Sequence, residues 1–310
     1  MQEFKHSVTT EKKPWTHINF DNRCLGDDFT FGIISDRTGR PTPGIFEKAI
    51  ETMNRMRPEF VMSVGDYVEG FCIEDFSKEF LKKQWDNVIP KINKCIPPFF
   101  YTVGNHDYTA DLPSAPLWKE LFGVTYYYFI YKNTLFISLN TDEGGDNALG
   151  KEQTDWAIEV LKQHSDVRWT FIFMHRPTVW QTEDFERLEE TLYDRNYTVF
   201  AGDRHRYTKY VRNGRKYIML GTTGGGDCRV GQGQLGVPFG EFDHITWVSM
   251  AGNKPEITNI AISGIYDEDV VTTEKITWLT AKYFRANKKI SPEEAEKLRS
   301  KGIFIEETIF

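Results

Sequence analysis

The sequence predicts an α/β fold, in which strands and helices alternate along the chain. Three short apolar runs, at residues 29–35, 60–64 and 97–103, are rich in β-branched and aromatic residues, as buried strands are. The residues between these runs show the periodicity of amphipathic helices. The order strand, helix, strand, helix, strand is typical of parallel pairing with right-handed crossovers.

Two helices are predicted between these strands. Apolar residues recur at helical spacing over about 44–56, and Thr42 before Pro43 is a plausible start for that helix. A second helix is marked by apolar residues over about 76–89, and Pro90 is placed past its last turn.

The same patterns continue through the rest of the chain. An Asn-Gly pair at 213–214 is a strong hairpin signal. The predicted elements are strands 126–131 and 134–139 in a hairpin, a helix around 156–161, a strand at 168–174, a helix at 185–193, a strand at 197–201, and two hairpins formed by strands 207–211 with 216–220 and 244–250 with 256–262.

Both ends of the chain differ from its centre. Residues 1–28 are polar and irregular and are predicted to form an arm on the surface. Residues 29–265 carry the strand and helix patterns and form the predicted main domain. Residues 266–310 are charged and are predicted to be an appended extension, with a capping box at 291–294 that opens a short helix ending near Ser300.

The composition narrows the class of protein. Of 310 residues, 40% are hydrophobic and 27% are charged, which suits a large core and excludes a disordered chain. The net charge of −7 gives no sign of an extended nucleic-acid footprint. The four cysteines are widely spaced, which favours free thiols in a reducing compartment. The alternative is that one or two disulfides form in an exported protein.

No apolar run is long enough to span a membrane, and the residues up to His17 do not form a signal peptide. The sequence as written therefore predicts a soluble cytoplasmic protein, or an exported one if a leader has been removed. The oligomeric state is not predicted.

The main functional signal is the polar residues that end the strands. Because parallel strands of one sheet place their carboxyl ends along one edge, these side chains are expected to gather there. A mixture of Asp, Asn and His favours divalent cations such as manganese, iron or zinc, and a two-metal site can activate water for attack on phosphorus. The residues are Asp36, Asp66, Asn105 with His106 after it, His175, and Asp203 with His205 after it.

Four short motifs, each following an apolar strand, carry a family resemblance. They are Gly65-Asp66, Gly104-Asn105-His106-Asp107, His175-Arg176-Pro177 and Gly202-x-x-His205. In this order they resemble the calcineurin-like metallophosphoesterases over about residues 29–265. The resemblance implies two mixed β-sheets packed as a sandwich flanked by helices, in four layers. It also implies a dinuclear metal centre that hydrolyses phosphate mono- or diesters.

The resemblance also implies a role for each matching residue. Asp66 is similar to the bridging carboxylate of the family. Asn105 and His175 resemble the ligands of one metal, and Asp36 and His205 those of the other. His106 resembles the general acid that protonates the leaving group, and Asp107 is expected to steady it.

Two positions depart from the family pattern, so each metal would have one histidine ligand fewer than the family pattern provides. The usual Asp-x-His is Asp36-Arg37-Thr38 here, and the usual Gly-His-x-His is Gly202-Asp203-Arg204-His205. Asp203 could still coordinate as an anion. An oxygen-rich ligand set favours manganese, iron or magnesium over zinc, and it predicts weaker binding at the Asp36 metal and a more alkaline rate profile.

Two functions are therefore weighed. The first is a hydrolase of a small phosphorylated substrate, using two divalent ions, an activated water and His106 as general acid. Arg37 and Arg176 are candidates to bind the phosphate, although each would equally suit a solvated or salt-bridged arginine. The alternative, motivated by Thr38 and Asp203, is a degenerate relative that binds a phosphorylated ligand without turnover.

Overall fold

The structure is a computed structural model that describes residues 4–70, 77–110, 112–226, 237, 240–262, 264–269 and 272. Two of the cysteines, Cys72 and Cys228, lie outside these residues, and so does the helix predicted from the capping box. Cys24 and Cys95 carry free thiols.

Within the described residues, twelve strands form two mixed sheets. In chain order they are β1 (Lys5–His6), β2 (Phe29–Ile34), β3 (Phe60–Ser63), β4 (Tyr127–Tyr131), β5 (Thr134–Ser138), β6 (Trp169–Phe173), β7 (Tyr197–Ala201), β8 (Thr208–Arg212), β9 (Arg215–Met219), β10 (His244–Ala251), β11 (Lys254–Ala261) and β12 (Gly264–Asp267). The larger sheet has the order β1-β4-β5-β6-β7-β9-β8, and the smaller has the order β12-β11-β10-β2-β3. In the larger sheet β5, β6, β7 and β9 run parallel, and in the smaller β2 and β3 do.

Helices cover the outer face of each sheet. They are α1 (Ile45–Met56), α2 (Lys78–Ile92), α3 (Ser114–Phe122), α4 (Lys151–Gln163) and α5 (Glu183–Leu192), with a 3₁₀ turn at Pro177–Gln181. Side chains of α1, α2 and α3 pack on the smaller sheet, and those of α4 and α5 pack on the larger one. The predicted sandwich of two mixed sheets in four layers is confirmed.

Phenylalanines fill the space between the sheets. Phe31 of β2 stacks on Phe60 of β3 with ring centroids 5.3 Å apart, and it meets the edge of Phe171 on β6 in the facing sheet at 5.1 Å. All three side chains are fully buried. Burying a phenylalanine contributes about 1.5–3 kcal/mol, so this layer is what holds the two sheets together.

The N-terminal segment does more than lie on the surface. Trp15 and Val8 are buried in the core between the sheets. Strand β1 pairs with β4, and Trp15 forms a bridge with Phe100. The domain boundaries at residues 28 and 265 remain predictions. Residues on both sides of the boundary at 28 pack in the same hydrophobic core.

Several local predictions were wrong. Helix α2 runs past Pro90 to Ile92, because a proline this close to the end removes only one of the last hydrogen bonds. Helix α3 was not predicted, since Pro113 and Pro116 obscure its apolar periodicity. The run at 97–103 makes only isolated bridges.

The run at 97–103 fails to extend into a strand for an identifiable reason. Phe100 donates to the Val61 carbonyl at 2.8 Å, as a ladder requires. Two residues later the amide of Thr102 donates instead to the Ser63 hydroxyl at 3.0 Å. This side-chain hydrogen bond replaces the next backbone hydrogen bond between the two segments. The strand pairing therefore ends here, before the backbone turns at Asn105.

Among the helices of the described ranges, none combines the length and apolar character needed to cross a bilayer.

A buried histidine gives a stability prediction. Burial lowers the pKa of His244 to about 4, and its Nδ1 lies 3.2 Å from the Phe242 carbonyl. Between pH 6.5 and 4 the unfolded chain therefore binds a proton that the folded chain does not, so stability falls as the pH drops. We expect this residue alone to remove about 2 kcal/mol between pH 7 and pH 5.

Urea unfolding at the two pH values tests this, with His244→Asn as the comparison, because asparagine keeps a donor for the carbonyl but does not titrate. The variant should lose about 2 kcal/mol less than the native chain over this interval. An equal loss in both proteins would contradict the assignment.

Candidate metal centre

The candidate site lies where the two sheets meet at one end of the sandwich. Asp36 and Asp66 follow β2 and β3 of the smaller sheet, whereas His175 and His205 follow β6 and β7 of the larger one. The strand-end pattern predicted that these residues would lie along the edge of a single sheet. The structure instead brings together the carboxyl ends of parallel strands from two facing sheets.

Three of the predicted residues form a buried group. Asp36, Asp66 and His175 are at most 1% exposed, and their donor atoms all lie within 4.8 Å of one another. His175 Nε2 is 3.2 Å from Asp66 Oδ2 and 3.9 Å from Asp36 Oδ1. Two carboxylates and one imidazole therefore converge on one point inside the protein.

Three histidines are oriented in the same way. The Nδ1 atoms of His175, His106 and His205 lie 2.7, 2.6 and 2.5 Å from the carbonyls of Val64, Glu69 and Gly226. A carbonyl only accepts, so each Nδ1 carries the proton and donates it. Each Nε2 then faces a carboxylate, at 3.8 Å for His106 and 3.6 Å for His205.

This orientation is the one that metal-binding histidines adopt. A backbone carbonyl that accepts from one ring nitrogen fixes the tautomer and leaves the other nitrogen as a ligand. In neutral histidines the Nε2 lone pairs would point at carboxylate oxygens, which is repulsive. The arrangement is stable only with positive charge between the groups.

The pKa values of the buried carboxylates and histidine also indicate that positive charge is favoured at this site. Burial opposes the ionisation of Asp66, but the charges of His175 and His106 outweigh it and hold the pKa of Asp66 well below its usual value. For His175, burial is likewise outweighed by Asp66 and Asp36, which raise its pKa well above normal. Burial raises the pKa of Asp36.

Two buried polar atoms indicate that a cation fits here. Of the seven buried side-chain atoms without a hydrogen-bond partner among the described residues, two belong to predicted ligands, Asn105 Oδ1 and His175 Nε2. Unsatisfied buried polar atoms are unfavourable and rare in folded proteins. Both are atoms that coordinate metals, and the donor atoms of Asp36, Asp66 and His175 lie close enough together to hold a divalent cation.

Asp107 has different contacts from those predicted. Its Oδ2 accepts from the amides of Asp66 and Gly104 at 2.7 and 3.0 Å, and its Oδ1 accepts from those of Tyr67 and Val68 at 2.9 and 3.3 Å. The His106 ring donates to the Glu69 carbonyl instead. The carboxylate therefore ties two loops together through their backbone.

Glycines allow these two loops to touch. A Cβ added to Gly104 would lie 2.2 Å from Asp66 Oδ1, and one added to Gly65 would lie 2.6 Å from the Gly104 amide nitrogen. Gly65 also has a φ of 97°, which side-chain-bearing residues rarely adopt. A side chain at Gly104 would displace Asp66, and one at Gly65 would displace the backbone of Gly104.

The two departures from the family pattern have defined positions. The Thr38 hydroxyl donates to Asp66 Oδ2 at 3.1 Å. The Asp203 carboxylate pairs with Arg204 at 3.0 Å, while its amide donates to Asp36 Oδ1 at 2.9 Å. The structure therefore places the backbone of Asp203 at the site, and its carboxylate is outside the buried group of three.

Both candidate arginines already have partners. Arg37 donates to the Tyr67 carbonyl at 3.0 Å and lies over the ring of Phe46. Arg176 pairs with Asp142 at 3.3 Å and with the exposed Asp146 at 2.8 Å. The structure thus shows each arginine in contact with protein groups beside the site.

Two residues that support His106 could not be identified from the sequence. The Glu69 carbonyl accepts from its ring, and the Gln84 side chain accepts from the amides of Glu69 and Gly70 at 2.8 and 3.3 Å. Neither residue lies in a motif, and a backbone carbonyl leaves no mark in a sequence.

Known proteins share both the sequence signature and the fold. The calcineurin-like phosphoesterase signature matches residues 29–215, which is more than half of the chain. No curated protein sequence matches significantly.

Among solved structures, the chain is similar to GAP50 of Plasmodium, described as the anchor in the inner membrane complex. The two are 13% identical, with 76% of this chain and 84% of that chain covered and a TM-score of 0.54. A putative 5'-nucleotidase from Staphylococcus aureus is 15% identical, with 79% and 54% covered and a TM-score of 0.48. Vps29 from Entamoeba histolytica, in a zinc complex, is 12% identical, with 75% and 92% covered and a TM-score of 0.39. At such identities the likeness concerns the fold alone.

The contacts of Asp107 lead to a prediction about stability. In Asp107→Asn one carboxylate oxygen becomes an NH₂ group, which faces two buried amide donors and cannot accept from them. Leaving such groups unsatisfied should destabilise the protein by about 3 kcal/mol in urea unfolding.

Asp155→Asn is the matched control, because Asp155 is an exposed aspartate paired with Lys151 and Arg187. It should be as stable as the native chain. If Asp107→Asn also unfolds like the native chain, then the carboxylate does not hold the loops.

Proposed function

This chain belongs to the calcineurin-like phosphoesterases, and from that premise we propose that it is a metal-dependent hydrolase of phosphate mono- or diesters. The observation that carries the proposal is the buried group of Asp36, Asp66 and His175, in which the Nε2 of His175 has no hydrogen-bond partner. A proton on His175 would add only one positive charge beside the two buried carboxylates, whereas a divalent cation would balance both of them.

Asp36, Asp66, His175 and Asn105 would hold the cation. Three of the four donate through oxygen, which favours manganese, iron or magnesium over zinc. When bound, such a cation supplies Lewis acidity: it polarises a phosphoryl oxygen and makes water nucleophilic near neutral pH.

His106 is proposed to protonate the leaving group. Its side chain is 16% exposed, so unlike His175 it is within reach of a substrate. Burial lowers its pKa, but Asp66 and the Glu69 carbonyl outweigh that effect and raise the pKa of His106 above its usual value. A raised pKa keeps more of the imidazole protonated near neutral pH, as a general acid requires.

Arg176 is the better candidate to bind the phosphate of a small substrate. Its partner Asp146 is 87% exposed, and ion pairs to such exposed groups contribute little. A phosphate oxygen could therefore replace that contact. Arg37 would have to give up a carbonyl and an aromatic ring, so we assign it a smaller part.

A binding protein without turnover is the second candidate function. Thr38 donates a hydrogen bond to Asp66 where the family pattern has a histidine, and Asp203 pairs with Arg204. One solved structure of this fold is described as an anchor, so the fold by itself does not establish catalysis.

The role of His106 predicts a dependence on the leaving group. In His106→Gln with Mn²⁺ present, kcat for an alkyl phosphate should fall on the order of 10²–10³-fold, because the leaving alkoxide needs a proton. For the 4-nitrophenyl ester the loss should be below about tenfold, because nitrophenolate leaves without one.

His164→Gln is the control, since this histidine packs on Tyr128 at the end of α4. It should hydrolyse both esters at the native rate. Equal losses for the two esters in His106→Gln would contradict the role as acid. Inorganic phosphate binding with no turnover above that of Asp66→Ala would favour the binding protein.

A further inference from the structure

We propose that this centre binds a single divalent cation, held by Asp36, Asp66 and His175, and that Thr38 is what limits it to one. The inference rests on the proposed metal-dependent function. It departs from the pair of cations that the family resemblance implies, because the donor atoms that the structure presents suit one ion and do not suit two.

The buried group has the dimensions of one coordination sphere. Donors bonded to one ion at 2.0–2.2 Å are separated by about 3–4.3 Å. The separations from His175 Nε2 are 3.2 Å to Asp66 Oδ2 and 3.9 Å to Asp36 Oδ1. One cation can therefore contact all three groups, and Asn105 Oδ1 is a further donor without a competing hydrogen bond.

Asp66 Oδ2 has too few free lone pairs to bridge two cations by itself. A carboxylate offers about four acceptor positions, two on each oxygen. The His106 amide occupies one on Oδ1 at 3.1 Å, and the Thr38 hydroxyl occupies one on Oδ2 at 3.1 Å. Oδ2 is the oxygen that faces His175, so a single lone pair remains there, enough for one ion.

The remaining donors do not make a second site. His205 Nε2 lies 3.6 Å from Asp36 Oδ1, but it does not join the group whose atoms are all mutually close. The Asp203 carboxylate faces Arg204, and Thr38 offers a neutral hydroxyl that is already donating. His205 Nε2 and Asp36 Oδ1 are therefore the two donors left for a second ion. Catalytic metal sites usually have three protein ligands.

The test is to titrate the metal-free protein with MnCl₂, counting bound ions by calorimetry and by metal analysis after dialysis. Electron paramagnetic resonance is the independent readout, because two Mn²⁺ ions about 3.5–4 Å apart couple magnetically and one ion does not. Thr38→His replaces the hydroxyl with an imidazole ligand. Thr38→Ser is the matched control, which keeps the hydroxyl.

The native chain and Thr38→Ser should each bind about one Mn²⁺ with an uncoupled spectrum, and Thr38→His should bind about two with a coupled spectrum. A native chain that binds two coupled ions, or none, overturns the inference. Thr38→His remaining at one ion would remove Thr38 as the cause. One bound ion without any phosphate ester hydrolysis would contradict the proposed function and leave the inference standing.

Discussion

The geometry of the centre depends on one buried carboxylate, that of Asp107. It accepts hydrogen bonds from the backbone of two loops, one that carries Asp66 and one that carries Gly104. Asp66 has a φ of 64°, a conformation that is unfavourable for any residue with a side chain. Hydrogen bonds to the amides of residues 66–68 offset that strain. Asp66 is thereby held facing His175, which comes from the other sheet.

The site exists because two sheets pack face to face. Phenylalanines such as Phe31 and Phe171 fix the distance between the sheets, and the carboxyl ends of β2, β3, β6 and β7 then meet at one end of the sandwich. The result is a pair of buried carboxylates facing the Nε2 atoms of histidines whose other nitrogen is already donating. Such an arrangement needs positive charge, which a bound cation would supply, and this need links the fold to its proposed chemistry.

The strand-end pattern of the sequence led to the fold and to the residues of the buried group, because strand periodicity and motif order are local properties. The contacts of Asp107 could not be predicted, since they depend on amides about 40 positions away in the chain. Whether Asp203 faces a metal or pairs with Arg204 could not be predicted, because a sequence does not show where a side chain points. The packing of Trp15 into the core was missed for a similar reason, as a polar stretch hid one buried ring.

The most direct measurement is anomalous diffraction from crystals of the native chain grown with Mn²⁺. The account predicts one anomalous peak, about 2.0–2.3 Å from Asp36 Oδ1, Asp66 Oδ2 and His175 Nε2. It also predicts that the Asp107 carboxylate still accepts from the amides of Asp66 and Gly104. A map without a peak among these three residues, or with Asp107 turned away from those amides, would contradict it.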